Sequence, residues 1–260
     1  MKEDKSKKKN TTLKIILLII GIILIITIAG IAYLTVEDLE QEDLLKKEIV
    51  NVSNKDFLTD DYSIEVKTTG DYAYIEEAVK KFYQELSNSI KTMNQYLNDE
   101  KLINILSADN IKADGPNFTN SYKILDETRK NSTAAIQIIA SLCEEETIKN
   151  LIDKEKVSDY SYNLYLQLMY TEEDLKDFKE TKQEMETLST NLNLFLDKVT
   201  EMLNMLERNK NAWTIEEGQL YFDNDTLVAE YNKLYNELNQ IATEKFSAYQ
   251  TTTEDKKSSI

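Results

Sequence analysis

Side chains that commonly perform chemistry in proteins are scarce in this 260-residue chain. The absence of histidine excludes histidine-based nucleophilic catalysis and histidine metal sites. Cys143 is the only cysteine, and its helical spacing from Ile136 and Ile139 predicts a small buried side chain rather than a reactive thiol. The five glycines are scattered and form no phosphate-binding loop. We therefore predict no cofactor and no metal.

Carboxylates are the remaining candidates for chemistry, because the chain has 47 aspartates and glutamates. Residues 223–225 read Asp-Asn-Asp, as at the start of a calcium loop, but Val228 replaces the glycine at loop position six and Leu234 replaces the glutamate at position twelve. Helix capping is the better interpretation of this triplet. A carboxylate-only enzyme stays as an alternative, which two buried carboxyls in a cleft would support. Because chance explains acid pairs in so acidic a chain, we predict that the chain is not an enzyme.

Two groups of mainly aromatic side chains form the candidate interaction surface. They are four tyrosines within eleven residues and the apolar side chains of a predicted hairpin: Tyr160, Tyr162, Tyr165, Tyr170, Trp213, Ile215, Leu220 and Phe222. Tyrosine combines a flat apolar ring with a polar tip, which suits protein or glycan contacts. The alternative is structural: the tyrosines are core and boundary residues, and Trp213 and Phe222 close one end of a helical core.

Residues 212–223 predict a β-hairpin. A two-residue turn at 217–218 produces two cross-strand pairs on one side of the hairpin: Ile215 with Leu220, and Trp213 with Phe222. A short helical turn is the competing interpretation, and Gly218 and the alternation of the sequence count against it.

Most of the chain after residue 70 predicts long helices, because it has few helix breakers and regular apolar spacing. The predicted helices cover 71–98, a short piece at 101–106, 118–145, 147–169, 175–206 and 225–249. Asp71 is predicted to cap the first of these helices, and Thr171 with Asp174 forms a capping box before the strongest one. The fold class is therefore all-α: an antiparallel helical bundle over 71–250 with the hairpin inserted at 212–223.

Residues 15–36 form an uncharged apolar run of 22 residues. A helix of that length covers the roughly 30 Å hydrocarbon core of a bilayer, so the run predicts a transmembrane helix that contacts the lipid bilayer. A cleaved signal peptide is the alternative, although the run is longer than the usual apolar region of about 7–15 residues. Residues 1–14 carry six lysines against two acids, which predicts a short cytoplasmic segment and an extracytoplasmic C-terminal domain.

The flanking regions complete the predicted organisation. Residues 37–70 predict a stalk and extended linker, in which Tyr62, Ile64 and Val66 alternate as in one short strand. Residues 251–260 predict a polar, disordered tail. Residues 37–260 carry 45 acids and 25 bases, a net charge of −20, which repels phosphate groups and excludes a nucleic-acid function.

These features lead to one leading functional hypothesis and two alternatives. The leading hypothesis is a single-pass membrane protein that presents a helical bundle as an interaction or scaffold module at the cell envelope, with a protein as its partner. The first alternative is a ligand-sensing ectodomain that signals through a partner protein, because the chain has only about 14 residues before the span. The second is the carboxylate-only envelope enzyme. The sequence does not indicate an oligomeric state.

Overall fold

The structure, a computed structural model, describes residues 39–246 and omits the side chains of Leu39, Glu172 and Glu173. Within that range no helix is both long enough and apolar enough to cross a membrane. The predicted cytoplasmic segment (1–14), transmembrane helix (15–36) and disordered tail (251–260) lie outside the described residues. For residues 39–246 the predicted class is confirmed, since the fold is mostly helical with one small antiparallel hairpin.

Nine α-helices, one short 3-10 helix and two β-strands make up the described part of the chain. In chain order they are α1 (Leu39–Ser53), α2 (Asp71–Leu97), α3 (Glu100–Ile103), α4 (Ala108–Asp114), α5 (Thr119–Leu142), α6 (Glu145–Asn150), the 3-10 helix (Lys154–Lys156), α7 (Asp159–Met169), α8 (Glu172–Arg208), β1 (Trp213–Glu216), β2 (Gln219–Phe222) and α9 (Asp225–Phe246).

The described residues divide into two compact units, and the three longest helices contribute to both. Unit A comprises residues 39–92 and 135–186, and unit B comprises residues 93–134 and 187–246.

The predicted bounds agree with the structure for the long helices and differ for two shorter stretches. The predicted helix over 147–169 is interrupted after α6, where Asp153 accepts a hydrogen bond from the N–H of Glu155 and starts the 3-10 helix. Ser158 then caps α7. The Gly115-Pro116 pair predicts a break over residues 109–117, yet residues 108–114 form α4, because the Ser107 hydroxyl accepts a hydrogen bond from the N–H of Asn110 and caps a new helix.

Side-chain caps explain where several helices begin. The predicted capping box is confirmed: the Asp174 carboxylate accepts a hydrogen bond from the N–H of Thr171 at 2.6 Å, and the Thr171 hydroxyl accepts one from the N–H of Asp174 at 3.3 Å. The prediction that Asp71 caps α2 is not supported. Its carboxylate instead accepts a hydrogen bond from the N–H of Ser158 at 2.8 Å, which lowers its pKa.

Unit A does not contain the predicted stalk. Residues 39–53 form α1, whose Leu45, Ile49 and Val52 are buried together with apolar residues of the unit's other helices. Residues 37–50 were predicted to be helical and to continue the membrane helix as a stalk outside the bundle. The burial of Leu45, Ile49 and Val52 shows that the narrow apolar stripe of α1 is covered.

Residues 54–70, here called the extended segment, contain no strand, although alternation predicted one. Their backbone carbonyls accept hydrogen bonds from polar side chains of α2 rather than from a neighbouring strand. The donors recur at helical spacing along one face of α2: Lys80 to the carbonyl of Glu65, Gln84 to that of Tyr62, Ser87 to that of Phe57 and Lys91 to that of Asp60. This row of donors satisfies carbonyls that a sheet would otherwise pair.

Unit B is built around the C-terminal half of α8, where the predicted apolar face is buried. The buried apolar side chains of that half are Leu188, Leu192, Leu196, Val199, Met202, Leu203, Met205 and Leu206. In contrast, α9 buries only two of its 22 residues, Leu227 and Leu238. It is therefore the most thinly covered of the long helices described.

Candidate functional site

The hairpin has the predicted register, with Trp213 opposite Phe222 and Ile215 opposite Leu220. Its turn residues Glu217 and Gly218 have φ angles of +49° and +75°, the signs that a type I′ turn requires at both positions. Burial alternates along both strands, so the four apolar side chains share one half-buried face.

Trp213 is the anchor of the hairpin rather than an open contact residue. Its indole N–H donates to the carbonyl of Leu206 at 2.8 Å, and its ring stacks on Phe118 at 6.3 Å between centroids. The ring also packs against Gly115, where an added Cβ would lie 2.9 Å from Trp213 Cη2 and 2.5 Å from the carbonyl oxygen of Ile111. This part of the hairpin is therefore used for packing within unit B.

Phe222 opens a row of three aromatic rings that continues onto α9. Its ring centroid lies 5.4 Å from that of Tyr231, which in turn lies 6.5 Å from that of Tyr235 with nearly parallel planes. Phe222 and Tyr231 are half-buried, and 41 % of Tyr235 is exposed. We call Phe222, Tyr231 and Tyr235 the aromatic row.

The aromatic row belongs to a longer apolar stripe on α9. Its members alternate in spacing between three and four residues: Val228, Tyr231, Tyr235, Leu238 and Ala242. Of these, Val228 and Tyr235 are about two-fifths exposed, and only Leu238 is buried. Such a stripe normally packs against a neighbouring helix, so its exposure marks a surface able to accept one.

The four tyrosines at 160–170 do not form one surface. Tyr165 is fully buried and its hydroxyl donates to the carbonyl of Ile148 at 2.6 Å, so burial raises its pKa and removes it from the candidate interaction surface. Tyr160 is 49 % exposed and donates to Glu42, while Tyr170 is half-buried and donates to Glu145. Tyr162 is half-buried, with the Lys154 ammonium 5.1 Å from its ring centre.

Tyr162 lines a groove of about 680 Å³ in unit A together with Tyr74 of α2. The groove is also lined by four lysines and four acids: Lys81, Lys149, Lys154, Lys156, Glu77, Glu146, Asp153 and Glu155. Two of these lysines pair with acids of the groove itself, Lys81 with Glu77 at 3.0 Å and Lys156 with Asp153 at 3.3 Å. The lining charges balance, which suits a neutral polar ligand better than an ion.

Four carboxylates are buried in the described part of unit A, and two of them, Glu48 and Glu76, are bound to lysines. The ammonium of Lys80 lies 2.8 Å from Glu48 and 2.5 Å from Glu76, and Lys67 pairs with the other oxygen of Glu48 at 2.9 Å. Glu76 also accepts hydrogen bonds from Lys67 N–H and from the N–H and hydroxyl of Thr68. We call Glu48, Glu76, Lys67 and Lys80 the buried ion network.

The buried ion network is suited to holding the extended segment against α1 and α2 rather than to acid–base catalysis. Burial opposes ionisation of both carboxyls, but the hydrogen bonds from the lysines, and for Glu76 also those from Thr68, outweigh it and lower both pKa values. A general acid at neutral pH needs the opposite shift. Neither carboxyl lines the groove. The alternative of a carboxylate-only enzyme gains no support from this pair.

The other sequence motifs have structural roles. The Asn224 side chain accepts a hydrogen bond from the N–H of Leu227 at 3.1 Å and caps α9, in agreement with the capping interpretation. Burial raises the pKa of the Cys143 thiol to about 12, so the thiol stays protonated and unreactive at neutral pH. Over residues 39–246 no group of three acid or cysteine side chains is placed to hold a metal ion.

The apolar spacing of α9 predicts a buried face that includes Tyr231 and omits Tyr235: Leu227, Tyr231, Leu234, Leu238 and Ile241. The spacing of Val228, Tyr231 and Tyr235 could have revealed a second stripe, because it repeats the three–four pattern of a packed helix face. That the stripe meets the hairpin at Phe222 could not be predicted from the sequence.

Comparisons with protein-family models, with curated proteins and with solved structures found no match for this chain. Function is therefore inferred from the chain's own residues.

Proposed function

We propose that this protein is a single-pass membrane protein that holds a helical interaction module at the outer face of a membrane. The observation that carries the proposal is the uncharged run over residues 15–36, with a lysine-rich flank before it and an acidic one after it. The thinly covered α9 and the aromatic row support an interaction role for the module.

The burial of α1 adds a distance limit to this proposal. Val36 ends the proposed span, and Leu39 already begins a helix whose apolar side chains belong to the core of unit A. Three peptide steps cover at most about 11 Å. The module would therefore sit against the bilayer surface instead of on a stalk, and its partner would have to reach that surface.

Fractionation and protease protection of the full chain in cells test the tether. We expect the chain to stay in membranes after alkaline carbonate extraction, with residues 39–246 open to protease added outside the cell. Deletion of residues 1–36 should release the module into the soluble fraction. Extraction of the intact chain by carbonate, or protection of its C-terminal part from external protease, would contradict the proposal. A mature N-terminus after residue 30 would show a cleaved signal instead.

Sensing of a neutral polar ligand is a second candidate function, favoured by the groove between Tyr74 and Tyr162. Thermal unfolding of the full chain with a panel of neutral oligosaccharides tests it. A ligand should raise the unfolding temperature of wild type and of Tyr221→Ala, whose site lies outside the groove, but not that of Tyr162→Ala. Equal shifts in all three proteins, or none, would remove this candidate.

A further inference from the structure

We infer, building on the proposed interaction function, that the aromatic row and the exposed stripe of α9 bind a cationic amphipathic helix of a protein partner. Three observations lead to this occupant: the spacing of the rings, the rigidity of their support and the charge around them.

The ring spacing matches the repeat of a helix. The centroid distances along the aromatic row are 5.4 and 6.5 Å, close to the 5.4 Å rise of one helical turn. Apolar side chains at positions i, i+4 and i+7 of a helix laid along the row would each meet one ring. This is the usual way in which an amphipathic helix docks on an apolar surface.

The surface is held in shape before any partner arrives. Trp213 fixes β1 through its hydrogen bond to Leu206 and its packing on Phe118 and Gly115. Phe222 then fixes β2 against Tyr231 of α9. Binding therefore requires little ordering of the hairpin, which lowers the entropic cost of association.

The charge of the hairpin and α9 indicates which class of partner the aromatic row binds. Residues 212–246 contain seven acids and two lysines. Two of the acids, Glu237 and Glu230, pair with Lys198 and Arg208 of α8, and the segment keeps a net negative charge when these two bases are included. A second copy of the chain would place this acidic surface against itself, and an anionic bilayer surface would be repelled by it. A helix with lysine or arginine beside its apolar stripe is the complementary partner, and long-range attraction would speed its association.

The test uses the full chain in phosphatidylcholine nanodiscs and three labelled 18-residue peptides, with empty nanodiscs as the blank. The first peptide has leucines at helical spacing with lysines beside them. The second replaces the lysines by glutamates, and the third has the composition of the first in an order without a stripe. Fluorescence anisotropy should show the first peptide binding at least tenfold more tightly than either control, with the difference shrinking at high salt.

Variants of the chain locate the binding surface. Tyr235→Ala and Val228→Asn should each weaken binding of the first peptide at least fivefold, because both side chains are exposed members of the stripe. The matched control is Tyr221→Ala, whose equally exposed ring lies on the opposite face of the hairpin and should leave binding within twofold. Far-ultraviolet circular dichroism confirms that all three variants keep their helices.

Several results would overturn the inference. They are equal binding of all three peptides, equal affinity of wild type and both stripe variants, or a dimer of the chain that Val228→Asn dissociates. The last result would make the occupant a second copy. Failure of the membrane tether is a separate result. If carbonate extracts the chain from membranes, the tether is wrong, and the peptide preference can still be measured on the full chain in detergent-free solution.

Discussion

The extended segment of unit A and the hairpin of unit B both lack helix, and they differ in how they are attached to their helices. The extended segment is held by packing and by charge. Its buried Phe57 and Tyr62 stack on Tyr83 of α2. Lys80 joins Glu48 of α1 to Glu76 of α2, and Glu76 binds the backbone of residues 67 and 68. The hairpin is held by shape, through the packing of Trp213 on Gly115 and Phe118. The first attachment should respond to pH and to the loss of a charge, whereas the second should respond to added volume.

The two attachments also differ in what they leave available for binding a partner. Several backbone groups of the extended segment are bound by side chains of α1 and α2, so these groups are not available to a partner. The hairpin uses Trp213 for attachment and leaves the other half of its apolar face beside the aromatic row. Backbone groups of the extended segment are used to attach it to its helices. The hairpin is attached through Trp213, which leaves the Phe222 side of its apolar face available to a partner.

The largest effect is expected from Lys80→Ala, which would leave two buried carboxylates without their shared cation. Loss of one partner of a buried ion pair costs about 3–5 kcal/mol of unfolding free energy. Urea unfolding of the full chain, followed by circular dichroism, measures the loss. Hydrogen exchange should show it first in residues 54–70 rather than in the hairpin.

The neighbouring lysine supplies a matched control. Lys81 is only half-buried and pairs with Glu77 at 3.0 Å within the same helix, so Lys81→Ala should cost no more than about 0.5 kcal/mol. Equal losses for the two variants would show that the network does not fasten the extended segment.

Gly115→Ala should be the most damaging small substitution at the hairpin. The new Cβ would approach both the carbonyl oxygen of Ile111 and the ring of Trp213, and relief of such overpacking typically costs about 1–3 kcal/mol. Because Trp213 is the only tryptophan, a red shift of its fluorescence should accompany the loss.

A double-mutant cycle shows which contact is responsible. Phenylalanine lacks Cη2, so Gly115→Ala should cost less in a Trp213→Phe background than in wild type. The same cost in both backgrounds would assign the effect to the Ile111 carbonyl alone and would weaken the shape argument for the hairpin.

Acid should weaken the extended segment through Glu48 and Glu76. Their pKa values are lowered in the folded chain, so their stabilising contribution is present above the pKa of the unfolded chain, about 4.3, and is lost as pH falls through the folded values. The stability difference between wild type and Glu76→Gln should therefore shrink as pH falls below that point, because a protonated carboxyl resembles the amide. A difference that stays constant down to pH 2 would contradict this linkage.

The smallest effect is expected at the hairpin turn. Glu217 has a φ of +49°, a conformation that asparagine adopts more readily, so Glu217→Asn should stabilise the chain by about 0.5 kcal/mol. Gly218→Ala is the opposing control and should cost about 1 kcal/mol, since its φ is +75° although nothing lies within 4 Å of the added Cβ. Thermal unfolding measures both, and a loss for Glu217→Asn would argue against the type I′ turn.

The sequence predicted the helices and the hairpin register well because both depend on local patterns. Alternation around residues 217–218 sufficed to pair Ile215 with Leu220, and the Thr171–Asp174 capping box set the start of α8. The candidate site was predicted only in part. Trp213 and Phe222 were predicted, but Tyr165 is core, and Tyr235 was overlooked although its spacing from Val228 and Tyr231 is that of a helix face.

What the sequence determined by itself is the predominance of helix, the hairpin, the acidic surface and the absence of histidine chemistry. These follow from residue type and short-range periodicity, which are visible without coordinates. Only the tertiary structure decided how residues 39–70 are used. Alternation predicted a strand, but the carbonyls of this segment are satisfied by Lys80, Gln84 and Ser87 of α2, which are distant in sequence. Tertiary packing likewise decided which aromatic rings face solvent, because that depends on what covers α9 rather than on its own pattern.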